Sequence, residues 1–574
     1  MLNSDYVEFI SYLLRLTNNN NNDLIGLIIQ TILEDIDDGN TCSNINSIAA
    51  KLNVSATKIL TILQKSNLLE YTKNISTTKF NKLFIALDLD DSCLIYVNRY
   101  LSFELIIAKT IKGLINNKLH AINYNRAIHD KLIQLNKQGN PNNEQLEAIK
   151  NSINNKFSII TGGPGTGKTS TVMIVLWALY QVYQCKLNVK ICAPTGKASK
   201  KVQESMQNNK LKDELNNEFL HELINDNANF KTIHRLLGAQ FNTNLYQYNS
   251  SNRLELDVLI IDESSMLGVA LFSRLLNSLD LNKIRHLILL GDKNQLSSVE
   301  EGSVFSSLVD ALSINVKDLF DNIGNQTINY LHISNRNSSS IGKLANHVLN
   351  DNANGVIRSF NQDAQDIKLI ECNLNNILEY ATIKIKQYYN ELDKLISTKQ
   401  LNIQAALKCY NEHVLLCSNN ITQFGTINLN KLLDQTTQLM LQSNSTWYYG
   451  KPIIITENNQ ALDLQNGDIG ICFEDHGSIQ IYFENGVKLL PVNLPKYNVA
   501  YAITIHKSQG SEYEHVSIIL PSISTIISRE LIYTAITRAK QKVTIFSDYS
   551  TLQNAIHNKT NRQSGIKQLL ELVE

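Results

Sequence analysis

The sequence predicts an α/β protein made of two parallel-sheet domains, a helical N-terminal domain and a small β-barrel inserted in the second sheet domain. Three observations predict this architecture. Short apolar runs alternate with helical stretches from about residue 157 to 333, and a second alternation begins near residue 413. Such alternation is typical of parallel sheets covered by helices. The third observation is a segment of short strands, glycine turns and prolines at 445–498, which predicts the barrel.

The composition is that of a folded protein whose charges balance. Of 574 residues, 43% are hydrophobic and 18% are charged, and 53 basic residues match 53 acidic ones. A balanced charge excludes a globally basic surface, so a nucleic acid would have to be held by a local groove. No apolar stretch approaches the ~20 residues that a membrane-spanning helix needs, and we expect no membrane partner.

The cysteines and the start of the chain indicate a cytoplasmic protein. The eight cysteines are scattered without a C-x-x-C pair, which argues against a zinc or iron–sulfur site and predicts reduced, mostly buried thiols. The N-terminus MLNSDYVEFI opens with an acid and polar residues rather than with a basic segment that leads into an apolar core, unlike a secretory signal.

Residues 1–135 are predicted to form the helical N-terminal domain. Val7, Ile10, Leu13 and Leu14 recur at the spacing of one helix face. A cluster of turn-forming residues at 136–143 then marks a boundary. We place the first sheet domain at 136–335 and the second at 336–574.

Eight buried strands are predicted in the two sheet domains. They are 157–161, 189–193, 257–261, 286–290 and 329–333 in the first domain, and 413–417, 515–520 and 542–546 in the second. A polar segment at about 238–256, with three aromatic residues and a turn at 249–252, predicts an inserted β-hairpin.

A phosphate-binding loop is indicated between the first predicted strand and an apolar helix at 171–183. Its residues are Gly162, Gly163, Pro164, Gly165, Thr166, Gly167, Lys168 and Thr169, which fit the pattern G-x-x-x-x-G-K-T. In such a loop backbone N–H groups surround the phosphates, Lys168 reaches the β- and γ-phosphates, and the Thr169 hydroxyl holds Mg²⁺. The pattern predicts ATP and Mg²⁺ as cofactors, and a glycine-rich turn without a ligand is the alternative.

Acidic and amide side chains follow two further predicted strands. Asp262 and Glu263 come directly after 257–261, and Gln295 follows 286–290. Paired carboxylates at the end of a buried strand are costly unless a cation or a water molecule interacts with them. We expect Asp262 to hold Mg²⁺, Glu263 to orient and deprotonate the attacking water, and Gln295 to sense the γ-phosphate. The alternative for the two acids is an N-cap and first-turn acid of the next helix.

Together with further motifs in the same order, this set resembles the superfamily 1 helicases. The motifs are 193–198 (APTGKA), 232–235 (TIHR), 290–296 (LGDKNQL), 504–512 (TIHKSQGSE) and 533–539 (YTAITRA). Within the superfamily the chain is most similar to the RecD family, with support from 447–452 (WYYGKP) and 466–470 (NGDIG). The resemblance covers about residues 142–546. Ser297 stands where that family usually has proline, which leaves the loop less rigid but keeps the chemical residues.

The resemblance implies two RecA-like motor domains, an SH3-like inserted barrel, and several nucleotide contacts. The implied contacts are Gln145 as the adenine reader, Gln295 as the γ-phosphate sensor, Ser170 and Glu512 as further nucleotide-binding residues, and Arg336 and Arg538 facing the nucleotide from the second domain. An arginine supplied across a cleft stabilises phosphoryl transfer only when the cleft closes, so hydrolysis can open and close the domain pair. A surface ion pair is the alternative for each arginine.

The resemblance also implies a channel for single-stranded DNA. Its expected contacts are Pro194, Thr195, Lys197, Thr232, His234, Thr504 and His506, which are small or basic donors at the ends of predicted elements. Plain solvation is the alternative for the lysines. The hairpin at 238–256 resembles the strand-splitting pin of RecD-like helicases, and a simple edge hairpin is its alternative.

The sequence therefore predicts an ATP-dependent 5′→3′ DNA helicase, with the polarity implied wholly by the resemblance. The resembled proteins are motor subunits of RecBCD-type helicase–nucleases, which process double-strand breaks for recombination. That implies β and γ companion subunits, with the nuclease centre on another subunit, and DNA partners that include single strands and duplex ends. Two alternatives are a non-translocating ATP-dependent assembly subunit and a stand-alone RecD-like helicase.

Overall fold

Four β-sheets organise the described part of the chain in the computed structural model. The structure describes residues 4–573 apart from 17–21, 74, 76–79, 90–91, 118–125, 241–244, 315–326, 334–338, 362–364, 399–401, 460, 476 and 523–526. No helix among these residues is long and apolar enough to cross a membrane.

The N-terminal region combines helices with a four-stranded sheet in the order β1-β4-β3-β2. Its elements are α1 (Ser4–Leu16), α2 (Asn22–Asp37), β1 (Cys42–Asn44), α3 (Ile45–Leu52), α4 (Ala56–Lys65), β2 (Leu69–Thr72), β3 (Phe84–Leu89), β4 (Ser92–Val97), α5 (Asn98–Asn116) and α6 (Arg126–Lys137). The prediction of a purely helical domain is therefore wrong for 42–97. β3 and β4 each bury four residues in succession, so their apolar runs show neither the helical nor the alternating period.

The first sheet domain is built on six parallel strands in the order β10-β5-β9-β8-β6-β7. Its elements are α7 (Asn143–Asn154), β5 (Phe157–Gly162), α8 (Lys168–Tyr183), β6 (Val189–Ala193), α9 (Gly196–Gln207), α10 (Leu211–Leu215), α11 (Glu218–Asn225), β7 (Phe230–Thr232), α12 (Ile233–Leu236), β8 (Val258–Ile261), α13 (Val269–Ser278), β9 (His286–Gly291), α14 (Val304–Ile314) and β10 (Ile328–Leu331). The five predicted strands are confirmed. β7, a three-residue edge strand, was not predicted.

The predicted hairpin at 238–256 differs from the structure. An isolated antiparallel bridge joins Ala239 to Tyr246, and residues 241–244 between them lie outside the described residues. The predicted turn is present, because the N–H of Asn249 donates to the carbonyl of Asn252 over 2.9 Å. Leu254 beyond it pairs with Leu279 rather than back across the turn. A local turn signal does not determine which segments pair.

The second sheet domain has five parallel strands in the order β11-β20-β19-β12-β18 and a separate antiparallel sheet in the order β16-β15-β14-β13-β17. Its elements are α15 (Ser340–Leu349), α16 (Ala353–Asn361), β11 (Ile367–Ile370), α17 (Leu374–Ser397), α18 (Ile403–Asn411), β12 (His413–Cys417), α19 (Thr426–Met440), β13 (Pro452–Ile455), β14 (Ile469–Asp475), β15 (Ser478–Phe483), β16 (Lys488–Leu489), β17 (Tyr497–Val499), β18 (Ala502–Thr504), β19 (Tyr513–Ile519), α20 (Arg529–Ile536), β20 (Ala539–Phe546), α21 (Tyr549–His557) and α22 (Ile566–Leu572). The inserted sheet has a small core of its own around Ile453 and Phe483.

The last helix, α22, does not pack in the core of the second domain. Leu552 and Ile556 of α21 belong to the core of the second domain, whereas Ile566 and Leu569 of α22 lie in a core shared by the N-terminal region and the first domain. α22 packs against α5 and α14. The predicted range of 336–574 for the second domain is therefore wrong at its C-terminal end, since local helical periodicity does not show which core a helix joins.

Candidate active site

The phosphate-binding loop lies between buried strand β5 and helix α8, as predicted. Gly165 and Gly167 have φ angles of 78° and 80°, a region that side chains with a Cβ rarely adopt. Lys168 Nζ donates to the carbonyls of Gly162 and Gly163 at 2.6 and 3.1 Å, which holds the ammonium group across the loop. No side chain caps α8, whose first N–H groups are available to an anion.

Gln145 contacts the phosphate-binding loop and helps to hold its conformation. Its backbone and side chain form a capping box with Asn142, and its Nε2 donates to the carbonyl of Thr166 over 2.9 Å. A Cβ on Gly167 would lie 2.2 Å from the same Nε2, so the glycine permits the contact. The structure therefore shows Gln145 as a support of the loop, with one Nε2 proton left for the predicted adenine contact.

Asp262 and Glu263 follow β8 at the same carboxyl edge of the sheet. Burial and the charge of Glu263 raise the pKa of Asp262 to about 6, and the nearby charge of Lys168 acts in the opposite direction. Glu263 has a φ of 50°, a strained conformation that tends to occur at functional sites. A partly buried carboxylate next to a second acid is chemically suited to a divalent cation, and Asp262 with the Thr169 hydroxyl provides oxygen donors for Mg²⁺.

Gln295 lies in the loop after β9 and is 5% exposed. Its Nε2 lies 3.4 Å from Oδ2 of Asp292, and its Oε1 is buried without a hydrogen-bond partner among the described residues. A buried acceptor without a partner is costly, so this oxygen suits a hydrogen-bond donor such as a water molecule.

A cleft of about 240 Å³ joins the two sheet domains beside the phosphate-binding loop. Gly162, Gly163 and Thr166 line one wall, and Tyr533 and Thr537, from the α20 segment, line the other. The hydroxyl of Tyr533 donates to Asp292 over 2.9 Å. A nucleotide phosphate bound at the loop would therefore face residues of both domains.

Arg538 lies directly after α20 and is 3% exposed. Its Nε donates to the carbonyl of Thr534 at 3.0 Å and its Nη1 to that of Ser511 at 3.3 Å. Within the described part of the chain, no carboxylate forms a salt bridge with it. A buried guanidinium held only by neutral groups keeps its charge available for a phosphate. Arg336, the other predicted arginine, lies outside the described residues.

Two further predicted nucleotide contacts face other side chains. Ser170 Oγ accepts a hydrogen bond from Nδ2 of Asn209 over 2.9 Å. Glu512 forms a salt bridge of 3.5 Å with Lys201, which joins the second domain to α9 of the first.

Two family models match the parts of the chain that build this site. An AAA domain matches residues 145–301, and a UvrD-like helicase C-terminal domain matches residues 499–546. The RecBCD enzyme subunit RecD of Haemophilus influenzae is 34% identical over 472 residues, which are 74% of this chain and 72% of the relative. The chain belongs to the RecD family. The chain is an ATP-dependent DNA helicase with a RecA-like helicase fold, and its two sheet domains are called the motor domains below.

Two further similar proteins are a second RecD subunit and a Pif1 helicase of known structure. The RecBCD enzyme subunit RecD of Buchnera aphidicola subsp. Acyrthosiphon pisum is 30% identical over 456 residues, 73% of this chain and 74% of that relative. A solved structure of two Pif1 helicases unwinding forked DNA covers 71% of this chain and 93% of its own, at 16% identity and a TM-score of 0.39.

The residues expected at the DNA channel of a RecD-family helicase lie at element ends in both motor domains. Thr195 and Thr232 are the N-caps of α9 and α12, and their hydroxyls accept N–H groups of those helices. Thr504 ends β18 and accepts the N–H of Lys507. Pro194, Lys197, His234 and His506 lie within two residues of these threonines.

The motifs that contain Thr195 and Thr504 approach each other. A Cβ on Gly510 would lie 3.4 Å from that of Ala198, so the segment after His506 touches the helix that begins at Gly196. Burial and the charge of Arg562 lower the pKa of His506, which favours its neutral form. The two motifs, one from each sheet domain, are therefore in contact at Ala198 and Gly510.

Several contacts between the domains were not predicted from the sequence. Leu296 donates its N–H to Thr534 Oγ1 at 2.8 Å, and Gln509 Nε2 donates to the carbonyl of Leu296 at 2.9 Å. These residues sit inside recognised RecD-family motifs, and that position was the available signal. Their pairing across more than 200 residues of sequence was not visible locally.

Proposed function

We propose that this chain is the ATP-driven 5′→3′ motor subunit of a helicase–nuclease that processes double-strand breaks for recombination. The observation that supports it most is the cleft lined by Gly162 and Thr166 of one RecA-like domain and Tyr533 and Thr537 of the other. A nucleotide bound between two domains changes their separation when it is hydrolysed and released. That coupling is what a translocating motor requires.

The nucleotide roles are assigned as follows. Lys168 and the loop N–H groups bind the phosphates, Glu263 orients the attacking water, Gln295 senses the γ-phosphate, and Arg538 stabilises the charge that develops during transfer. Arg336 is proposed as a second arginine, Gln145 as the adenine reader, and Ser170 and Glu512 as secondary contacts. Thr169 and Asp262 would hold Mg²⁺, which neutralises phosphate charge when bound.

DNA is proposed to run across the face where the two threonine-containing motifs meet. Thr195, Thr232 and Thr504 end buried elements and can offer hydroxyl or backbone donors to phosphates. The proposed contacts that flank them are Pro194, Lys197, His234 and His506. The bridge between Ala239 and Tyr246 is the proposed base of a strand-splitting pin, and the sheet within 445–498 is the proposed SH3-like barrel.

The N-terminal region is proposed to dock companion β and γ subunits, with the nuclease centre on a companion. Helix α1 leaves Val7 49% and Tyr12 59% exposed, and Leu27 of α2 is 48% exposed. Apolar side chains of this size on a surface mark partner contacts when they form a patch. All eight cysteines are free thiols, which supports work in the reducing cytoplasm.

The decisive experiment uses two partial-duplex DNA substrates that differ only in carrying a 5′ or a 3′ single-stranded tail. We expect single-stranded DNA to stimulate ATP hydrolysis, and we expect unwinding of the 5′-tailed substrate alone. Unwinding of only the 3′-tailed substrate would reverse the polarity. Nucleotide-dependent binding without turnover would instead favour a non-translocating assembly subunit.

A second experiment tests the partners. Val7→Glu with Tyr12→Glu should reduce co-purification with the companion subunits and leave DNA-stimulated ATPase unchanged, because both side chains lie away from the cleft. Asp23→Asn, which lies near the start of α2, is the matched surface control. Full co-purification of the double variant would reject docking through this surface.

A further inference from the structure

The end of the chain crosses from the second motor domain to the first. Residues 558–565 connect α21, which is packed in the second core, to α22, which lies in the core shared with the N-terminal region. A connection of this length spans at most about 29 Å when fully extended. We name residues 558–573 the C-terminal strap.

Arg562 is the point where the C-terminal strap meets the loop that follows Gln295. Its Nη1 donates to the carbonyls of Ser298 and Glu300 at 2.8 and 2.9 Å. One guanidinium nitrogen therefore holds the carbonyls on both sides of Val299, which is itself 79% exposed. Because the two bonded carbonyls flank Val299, the bonds constrain the path of this loop as well as its distance from the C-terminal strap.

The N-terminal region contacts both the same loop and Arg562. A Cβ on Gly39 would lie 2.5 Å from Cζ of Arg562, so the guanidinium packs directly on that glycine. Gly302 donates its N–H to the carbonyl of Gly39 over 2.9 Å. The loop is therefore fixed at Ser298 and Glu300 by the C-terminal strap and at Gly302 by the N-terminal region.

A fully buried carboxylate anchors the C-terminal strap next to Arg562. Glu104 accepts hydrogen bonds from the hydroxyls of Thr41, Ser564 and Tyr96 at 2.6, 2.7 and 2.9 Å, and from the N–H of Gly565 at 3.1 Å. Each of these buried groups would lose its partner if the strap moved, and an unpaired buried polar group is costly. Arg562 is consequently carried on a backbone that cannot shift independently of the N-terminal region.

The start of the loop is held by the second motor domain. Leu296, the residue after Gln295, bonds to Thr534 through its N–H and to Gln509 through its carbonyl. Movement of the second domain will therefore pull on Leu296, while Arg562 resists two residues further on. Gln295 lies at the end of this restrained segment.

We propose that Arg562 is a positioning residue for ATP hydrolysis, which restrains the 297–302 loop so that Gln295 keeps its position as the domains move. The role rests on the proposed motor function. Arginine suits it because a planar guanidinium directs its donors in set directions, whereas the ammonium group of lysine is a point charge.

The test compares Arg562→Ala and Arg562→Lys with Lys559→Ala, an exposed cation in the same strap. The kcat and KM for ATP are measured on the full chain with and without single-stranded DNA, next to thermal unfolding. For Arg562→Ala we expect DNA-stimulated kcat to fall about tenfold, with KM for ATP unchanged, because two charged hydrogen bonds are lost far from the nucleotide. Arg562→Lys should recover part of kcat, and Lys559→Ala should match the wild type.

A lower unfolding temperature of Arg562→Ala with an unchanged kcat would show a purely structural anchor and overturn the proposal. If Arg562→Ala does not fold, Arg562→Lys decides alone, since it keeps the half-buried positive charge. An intermediate kcat at constant KM supports the role, and a wild-type kcat overturns it. A wild-type protein without DNA-stimulated ATPase would instead contradict the motor function itself.

Discussion

The hydroxyl of Tyr533 donates a hydrogen bond to Oδ2 of Asp292 over 2.9 Å and so joins α20 of the second motor domain to the end of β9 in the first. Both side chains are buried, at 4% and 3% exposure. A Cβ on Gly163 would lie 2.9 Å from the same hydroxyl. One atom of the second domain therefore touches the phosphate-binding loop and the acid that bonds Gln295.

Tyr533→Phe should lower DNA-stimulated kcat by between about twofold and tenfold and leave the fold intact. The change removes one buried hydrogen bond, usually worth 0.5–1.5 kcal/mol, without removing the ring. Steady-state ATPase measurements test this, with the half-exposed Tyr549→Phe as control. An unchanged kcat would show that the bond does not transmit domain closure.

Lys168→Gln should abolish ATP turnover and unwinding while the protein stays folded. Among the described residues the ammonium group bonds only loop carbonyls, so its replacement there removes the cation directed at the phosphates without breaking a salt bridge. ATPase assays with circular dichroism test both parts of this expectation. Lys150→Gln, an exposed lysine of α7, is the control. A folded Lys168→Gln protein with near-wild-type activity would reject the site.

Arg538→Ala should reduce ATP turnover by roughly 10³–10⁵-fold and weaken nucleotide binding much less, because the charge acts mainly in the transition state. Single-turnover hydrolysis and nucleotide titration separate the two effects. Arg538 also bonds Thr534 and Ser511, so Arg538→Lys, which keeps the charge, guards against misfolding. Lost ATP binding with unchanged turnover at saturation would make Arg538 a ground-state binder.

Glu104→Gln should change how stability depends on pH. Burial raises the pKa of Glu104 above its usual 4.5, so the folded protein binds this proton more tightly than the unfolded chain. The stabilisation is complete below pH 4.5 and is lost as pH rises through the higher folded pKa. The wild type should therefore lose stability relative to Glu104→Gln from about pH 4.5 upward. Urea unfolding of both proteins between pH 4.5 and 8 tests this, and a constant difference would contradict it.

Much of the motor was predictable because its signals are local. The loop at 162–169 is recognisable in the sequence by its glycines, because some of its backbone conformations favour residues without a Cβ. Two of these glycines have a positive φ in the structure. Asp262 and Glu263 were predictable because a buried strand does not end in paired acids without reason. The RecD-family motifs added the order of these parts along the chain.

The N-terminal sheet shows where such signals fail. β3 and β4 are apolar on both faces, so their composition suits a buried helix as well as a strand. In the structure these segments are strands, because Phe84 pairs with Val97 and Leu89 pairs with Ser92. The same limit applies to 238–256, where the turn was predictable and its partner segments were not.

By itself the sequence determined the two parallel sheets, the phosphate-binding loop and the acids at strand ends, since each depends on residues a few positions apart. Only the tertiary structure decided that Tyr533 meets Asp292, that Arg562 holds the carbonyls of Ser298 and Glu300, and that Glu104 anchors the end of the chain. These partners lie more than 200 residues apart, and no local pattern encodes the path that brings them together. The burial of apolar faces in a shared core sets that path, and the polar contacts then form where it leads.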